Sequence, residues 1–163
     1  MRKVILFIGL ICCITGFSCG RHCCAPPEPA SYMGAVRNDT AWSIFNFTAR
    51  IIQDTLTISN NSGDFQRSEM IGFKLKFHGT DNYPLAPANS NYAYAPGVDN
   101  PAISYTADPN FNNFFNVTSY DADSGVISGT FSVKFDKDPS NQDGRYPASV
   151  SFLTGAFRIH LSK

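Results

Sequence analysis

The chain has 163 residues, in which 13 Lys and Arg balance 13 Asp and Glu, so its formal net charge is zero. This balance argues against a nucleic-acid-binding protein, which usually carries a basic surface. All five cysteines lie within the first 24 residues, so the rest of the chain holds no cysteine for a disulfide or a thiolate metal site. The length suits one domain that buries its core without such cross-links.

Residues 1–18 have the features of a secretory signal peptide. Arg2 and Lys3 give a positive start, and an apolar run follows from Val4 to Phe17. This run is shorter than the roughly 20 residues that a membrane-spanning helix needs. A cleaved signal is therefore the preferred interpretation. The alternative is a short N-terminal anchor helix that is never cleaved.

The dipeptide Ser18-Cys19 closes the apolar run and resembles a bacterial lipobox. In such signals the cysteine is lipidated and becomes the first residue of the mature protein. The other four cysteines fit worse, because they lie inside the apolar run or follow a histidine or another cysteine. Two or more acyl chains form a stable anchor. We therefore expect Cys19 to carry lipid and to attach the protein to a membrane.

Residues 19–31 are predicted to form a Pro-rich tether between the lipid and the domain. The segment 25–31 reads APPEPAS, and Pro-rich segments are extended and semi-rigid. Lipoproteins that Bacteroidetes export to the cell surface often carry acidic residues after the lipidated cysteine, whereas Gly20-Arg21-His22 follows Cys19 here. We therefore expect an outer-membrane location, with the periplasmic face favoured over the cell surface.

Residues 32–163 are predicted to form a single all-β domain. Apolar and polar residues alternate over Glu69–His78, Val126–Asp136 and Ala156–Ser162, which is the period of half-buried strands. Gly129 takes an inward position, as at a bulge or a tight crossing. Weaker patterns predict the remaining strands, which are Tyr32–Arg37, Trp42–Ile52, Thr55–Ser59, Tyr92–Tyr94, Ala102–Thr106, Phe114–Tyr120 and Ser149–Thr154.

These short strands, separated by Gly, Asn, Asp and Pro turns, predict an antiparallel β-sandwich or a flattened barrel of about nine strands. The longest segments without a strand pattern are Gly79–Asn91 and Lys137–Ala148. Loops of this length in a compact domain are often functional or mobile.

Several short motifs resemble a family of small Bacteroidetes lipoproteins of unknown function. The shared pattern is a signal and cysteine, a proline-containing spacer, a first strand and turn, and then a Trp, here Trp42. Later matches are Gly79 with Tyr83-Pro84-Leu85, then Gly129-Thr130-Phe131, and finally Gly155-Ala156-Phe157. The resemblance implies a β-sandwich-like lipoprotein domain and supplies no activity.

Catalytic, metal and cofactor motifs are not found in the sequence. His22 falls in the tether, His78 and His160 fall on outward strand positions, and no Gly-x-Ser-x-Gly motif is present. The carboxylates of Asp121-x-Asp123 suit a hairpin turn better than a calcium loop. We therefore expect no catalytic residue, no metal and no cofactor.

Tyr92 and Tyr94 share a strand face and are candidates for stacking on a ligand, with core packing as the alternative. Thr40 and Thr55 follow aspartates in short motifs that resemble O-glycan acceptor sites of Bacteroidetes periplasmic proteins. The leading hypothesis is a lipid-anchored module that binds a glycan or an envelope protein, or helps envelope assembly. The alternative is an envelope hydrolase with a spatially assembled Asp/Glu pair.

Overall fold

The computed structural model describes residues 31–45, 47–60, 68–95, 97, 101–141 and 143–162. The predicted signal peptide, Cys19 and all but the last residue of the predicted tether lie outside the described residues. Within the described ranges the chain forms eleven β-strands and no helix, which confirms the all-β prediction. The strands are β1 Tyr32–Arg37, β2 Thr40–Ile44, β3 Thr48–Ile52, β4 Thr55–Ser59, β5 Ser68–Lys76, β6 Asp81–Pro84, β7 Ser90–Ala95, β8 Ile103–Ala107, β9 Phe114–Asp121, β10 Val126–Lys137 and β11 Ser149–His160.

Nine of the described strands form a curled antiparallel half-barrel in the order β2-β1-β11-β10-β8-β7-β5-β4-β3. Strand β10 is the branch point, because its first part pairs with β9 and its last residues pair with β8. Strand β6 then pairs with β9. The curl is tight enough that Ser162, just after β11, donates its backbone N–H to the Ala49 carbonyl of β3 at 2.7 Å.

The strongest alternation in the sequence predicts the burial of β5 correctly. Ile71, Phe73 and Leu75 are buried, whereas Met70 and Lys74 are exposed. Strand β10 follows the same rule, and its buried large side chains are Ile127, Phe131, Val133 and Phe135. The inward face of each strand therefore supplies the core, as the period of two requires.

One predicted strand is two strands in the structure. The segment Trp42–Ile52, predicted as one strand with an irregularity near Ala49 or Arg50, covers the end of β2 and all of β3, and the break between them falls at residues 45–47. Strand β2 pairs with β1 and strand β3 pairs with β4, so the two occupy opposite ends of the strand order. The chain must leave the sheet between them, and local alternation carries no signal for that crossing.

The converse error occurs at the C-terminal end. The segments Ser149–Thr154 and Ala156–Ser162 were predicted as separate strands, but the single strand β11 spans both. Thr154 has a φ of 50°, and the register against β10 shifts at this point. Gly155 thus lies at an irregularity within one strand, where a Cβ would come 2.4 Å from the ring of Phe131.

Strand β6 lies inside the segment Gly79–Asn91, which was predicted to be a loop. Of its four residues Asp81–Pro84, only Tyr83 is buried. A strand of this length with one buried residue shows no alternation, so the periodic pattern cannot reveal it. Its pairing with β9 adds a second strand to the branch that leaves the half-barrel at β10.

Two hairpins turn through two residues of positive φ. Asn38 and Asp39 have φ values of 43° and 66°, and Gln53 and Asp54 have values of 48° and 59°. Positive φ at both central residues matches the twist of the adjoining strands, as in a type I′ turn. The Asn38 side chain also accepts the backbone N–H of Ser151 at 2.9 Å, which fixes the first hairpin to β11.

The core beneath the branch is a phenylalanine cluster, formed by Phe73, Phe115, Phe131 and Phe157. The rings of Phe115 and Phe157 stack with their centroids 4.1 Å apart, and Phe73 lies 5.4 Å from Phe115. Phe73 lies on β5 and Phe115 on β9, which do not pair, so these rings meet across the core. Full burial of each side chain contributes about 1.5–3 kcal/mol.

Gly129 is required where β10 crosses close to β9. A Cβ at this position would lie 1.9 Å from the carbonyl oxygen of Asn116 and 2.9 Å from the ring of Phe157. The register between the two strands shifts between Ser128 and Gly129. These distances confirm the bulge or tight crossing predicted for this glycine.

Candidate ligand-binding site

A cleft of about 600 Å³ opens where the curl of the half-barrel brings β1 and β2 opposite β5 and β7. Small-molecule sites are clefts of roughly 300–1,000 Å³, so this volume falls within their range. We call it the aromatic cleft after five side chains of its described lining. These are Trp42, Tyr92, Tyr94, Tyr105 and Tyr146.

The curl of the sheet brings together residues that are distant in sequence. Trp42 points inward from β2, and Tyr92 and Tyr94 point the same way from β7. In the strand order β1, β11, β10 and β8 lie between β2 and β7. The rings of Trp42 and Tyr92 both contact Phe152 of β11, with centroid distances of 4.7 and 5.3 Å. Phe152 therefore packs against an aromatic ring from β2 and one from β7.

The aromatic side chains divide into a buried floor and a half-exposed wall. Trp42, Tyr92 and Tyr105 are 9%, 4% and 2% exposed. Tyr94 and Tyr146 are only half-buried, and their ring centroids lie 5.8 Å apart at an interplanar angle of 56°. The wall is therefore more exposed than the floor, although both of its residues also pack against the core.

An ion pair spans the cleft between the first hairpin and the start of β5. Arg37 donates from Nη1 to Glu69 Oε1, and the Nε1–H of Trp42 donates to Glu69 Oε2 at 2.8 Å. Burial by itself lowers the pKa of Arg37, but the hydrogen bond and the charge of Glu69 raise it above the ordinary value overall. The guanidinium therefore stays charged, and Glu69 is held between two donors.

The ion pair also acts on the floor of the cleft. Burial raises the pKa of Tyr92, the charge of Glu69 raises it further, and the charge of Arg37 opposes this change. Tyr92 therefore keeps a neutral hydroxyl at any physiological pH. Arg37 and Glu69 are the charged side chains of the described lining, so their charges cancel within the cleft.

Asn60 fixes the backbone that carries Glu69. Its side chain is buried, accepts the backbone N–H of Ile71 at 2.7 Å and donates to the carbonyl oxygen of Glu69 at 3.1 Å. A buried amide with both ends bonded holds its neighbours in one geometry. Asn60 is therefore a positioning residue for the ion pair.

The loop between β10 and β11 brings Tyr146 to the wall. The Nζ of Lys137 donates to the carbonyl oxygens of Asp143 and Tyr146 at 2.8 and 3.1 Å. Arg145 bonds the carboxylate of Asp143 and lowers the pKa of that group to about 2. The hydroxyl of Tyr105 donates to the Pro147 carbonyl at 3.2 Å. These bonds give the described part of the loop a defined shape beside the cleft.

No known protein family, curated protein or solved structure matched this chain in comparison. The resemblance to small Bacteroidetes lipoproteins therefore stays a prediction from short motifs. Among the described residues, no helix is long and apolar enough to cross a membrane.

The two tyrosines predicted to stack on a ligand both line the aromatic cleft. Tyr92 belongs to its floor, where its ring packs against Tyr105 and Phe135, so Tyr94 is the more exposed of the two. Tyr83 lies elsewhere and packs on Phe77. Ligand binding by Tyr92 and Tyr94 stays a prediction.

The two predicted glycosylation sites have equivalent local positions but different surroundings. Thr40 and Thr55 each begin a strand directly after one of the two positive-φ turns. Thr40 is exposed and borders the cleft, whereas Thr55 is half-buried and lies outside the cleft lining. Modification of either residue stays a prediction.

The carboxylates are scattered rather than paired in the cleft. Glu69 is the single carboxylate of its described lining, so a facing Asp/Glu pair for hydrolysis would have to lie elsewhere. Asp108 and Asp136 approach one another only across Lys134, whose Nζ lies 2.8 and 3.7 Å from their oxygens. Asp121 accepts backbone N–H groups of its own turn. In the described ranges no three His, Cys, Asp or Glu side chains are placed to share a metal ion.

The ion pair was not predicted, although the sequence contains a signal for it. Glu69 has the same strand parity as Ile71 and Phe73, and Arg37 has the same parity as Met33. A charged residue at an inward position of a strand must find a partner, because an unpaired buried charge is costly. Two such residues of opposite sign in different strands are candidates for one pair.

Proposed function

We propose that the protein is a lipid-anchored domain of the cell envelope that binds a ligand in the aromatic cleft. The observation that carries the binding role is the half-exposed pair Tyr94 and Tyr146 beside the ion pair of Arg37 and Glu69. Binding sites combine aromatic surface with a few well-placed polar groups in a concave setting. The ligand is expected to be a component of the envelope, either a glycan or a protein.

The anchor part of the proposal is supported by the sequence alone. The charged start, the apolar run and Ser18-Cys19 have the order of a lipoprotein signal, and the Pro-rich segment that follows suits a tether. Dual acylation would confine the domain to a membrane surface. The aromatic cleft would then meet ligands that are themselves part of the envelope.

A photoreactive phenylalanine analogue at position 94 tests the binding role in living cells. We expect irradiation to give a covalent adduct, detected as a mass shift of the purified protein. Tyr120 provides the matched control, because it is an exposed tyrosine outside the cleft lining, at 38% exposure. Adducts of the same kind and yield at both positions, or none at position 94, would contradict a role for the cleft.

Replacement of Cys19 by Ala tests the anchor. We expect the variant to leave the membrane fraction and to lose incorporation of a labelled fatty acid. The matched control is Cys23→Ala, which removes a nearby cysteine that does not follow the lipobox-like sequence. Retention of the Cys19→Ala variant in the membrane would point instead to an uncleaved N-terminal helix.

A further inference from the structure

We infer that the ligand of the aromatic cleft is a neutral oligosaccharide; this inference rests on the proposed binding function. Three properties of the described lining lead to it. They are the cancelled charge of the cleft, the half-exposed tyrosine wall and the open side along β2.

The charge of the cleft disfavours ionic ligands. Arg37 and Glu69 are the charged side chains of its described lining, and they bond to one another. Beside the wall, the guanidinium of Arg145 lies 5.8 Å from the ring centroid of Tyr146, and its charge is paired with that of Asp143. An anionic ligand such as a phosphate or an acidic sugar would meet the carboxylate of Glu69 and would have to compete for Arg37. A cationic ligand would meet the guanidinium of Arg37 and would have to compete with it for Glu69. Desolvating either ligand without a charge partner is costly, so a neutral polar ligand fits best.

The wall suits the shape of a sugar ring. Tyr94 and Tyr146 are half-buried and line the cleft, and the electron-rich face of an aromatic ring attracts the polarised C–H groups of a sugar face. The edges of a sugar ring carry hydroxyl groups that both donate and accept hydrogen bonds. Thr40 and Ser43 border the same cleft with hydroxyl groups that do likewise. Stacking with a polar rim is the combination that such a ligand requires.

The open side of the cleft favours an oligomer over a single sugar. Strand β2 is at one end of the strand order and pairs with β1 alone among the described strands. Its residues Thr40 and Ser43 are exposed and border the cleft. The edge of β2 that no other described strand pairs with is therefore the side along which a chain of sugars would leave the cleft.

Trp42 provides an internal probe, because it is the single tryptophan of the whole chain. It is a member of the cleft floor and bonds Glu69, so its fluorescence should respond when the cleft is filled. The experiment titrates the full chain in mild detergent with neutral cello-, manno-, malto- and xylo-oligosaccharides. An oligogalacturonate, a chitosan oligomer and an extended peptide of alternating Thr and Val serve as comparison ligands.

We expect saturable binding of at least one neutral oligosaccharide and no saturation with the charged sugars or the peptide. Replacement of Tyr94 by Ala should weaken that binding by roughly three- to tenfold, as the loss of one stacked ring implies. Tyr146→Ala is a second variant, on the loop rather than in a strand, in case the first disturbs folding. Tyr120→Ala, outside the cleft, should bind as the unaltered chain does.

The possible failures separate the two proposals. If the charged sugars or the peptide saturate the signal and the neutral sugars do not, the ligand class is wrong and the cleft remains the binding site. If a neutral sugar binds the Tyr94→Ala and Tyr146→Ala variants as tightly as it binds the unaltered chain, the site is elsewhere and the inference is overturned. If no ligand binds and the photoreactive group at position 94 also captures nothing, both proposals are overturned.

Discussion

The phenylalanine cluster and the aromatic cleft are built by the same alternation in the same sheet, but their inward-facing rings differ in polarity. In the cluster, the rings of Phe115 and Phe157 stack 4.1 Å apart and carry no polar atom. In the cleft, the corresponding inward positions hold Tyr and Trp, whose hydroxyl and N–H groups need partners when they are buried. Tyr105 bonds the Pro147 carbonyl, and Trp42 bonds Glu69.

The two regions therefore differ in how much apolar area their rings bury. Apolar rings that fill space contribute through the area they bury, about 25 cal/mol per Å². Tyr94 and Tyr146 remain half-exposed, so they bury less area than their size allows. The cleft also holds the half-buried ion pair of Arg37 and Glu69, and such a pair is weak evidence for stability. The cluster therefore buries more of its ring area than the wall of the cleft does, and the proposed ligand site is the less tightly packed of the two regions.

The largest effect should come from adding one methyl group to the phenylalanine cluster. Gly129→Ala places a Cβ 1.9 Å from the Asn116 carbonyl oxygen and 2.9 Å from the ring of Phe157, so β9 and β10 must move apart. We expect the free energy of unfolding to fall by about 3 kcal/mol, at the upper end for overpacking. Urea denaturation followed by circular dichroism measures it.

The matched substitution is Gly144→Ala in the loop beside the cleft. Apart from its chain neighbours, no atom of the described residues lies within 4 Å of a Cβ at that position, and the glycine is exposed. We expect the free energy of unfolding to change by less than about 0.5 kcal/mol, as for most surface substitutions. Equal losses for the two variants would mean that the cluster is no more tightly packed than the loop, which would remove the contrast between the two regions.

The sequence predicts the cluster better than the cleft, for a physical reason. Burial alternates every second residue, so Phe73, Phe131 and Phe157 can be assigned to the core from their own strands. The cleft depends on the curl of the sheet, which brings Trp42 of β2 opposite Tyr92 of β7. Curl accumulates from twist over several strands, and no local pattern reports it.

The same limit explains the errors in the strands. The break between β2 and β3 and the short strand β6 depend on partners that are distant in sequence. The irregularity at Thr154 and Gly155 depends on the ring of Phe131 in the neighbouring strand. Alternation within each strand could be predicted, whereas the choice of neighbouring strand could not.

An intermediate effect is expected when the negative charge of Glu69 is removed from the cleft. Glu69→Gln keeps the size of the side chain but leaves the half-buried Arg37 without its counter-charge. A hydrogen bond to a charged group contributes about 1.5–3 kcal/mol. Because these side chains are 31% and 24% exposed, we expect a smaller loss of about 1 kcal/mol in unfolding free energy. The emission of Trp42 should also shift, since its N–H loses a carboxylate acceptor.

Asp143→Asn is the control for the ion pair. Asp143 bonds Arg145 in an exposed loop where solvent screens the charges, so we expect a smaller loss of unfolding free energy than for Glu69→Gln. The Trp42 emission should remain unchanged, because Asp143 is outside the cleft lining. If Asp143→Asn lowers the free energy of unfolding as much as Glu69→Gln does, an ion pair in the cleft stabilises the fold no more than one on the surface. The expected difference between the two regions would then be absent.

The smallest effect should come from the turn that carries Arg37 and Trp42 toward the cleft. Asp39 has a φ of 66°, a conformation that glycine adopts without the steric cost paid by other residues. Asp39→Gly should therefore raise the free energy of unfolding by about 0.5 kcal/mol. Asp39→Val should lower it, because β-branched residues are strained at positive φ.

Asp54→Gly is the matched variant, because Asp54 has a φ of 59° in an equivalent turn that does not border the cleft. We expect the two glycine variants to be stabilised equally, since the gain arises from backbone geometry alone. A gain at Asp54 with a loss at Asp39 would mean that the first turn contributes contacts beyond its backbone. The Trp42 emission of Asp39→Gly would then show whether those contacts belong to the cleft.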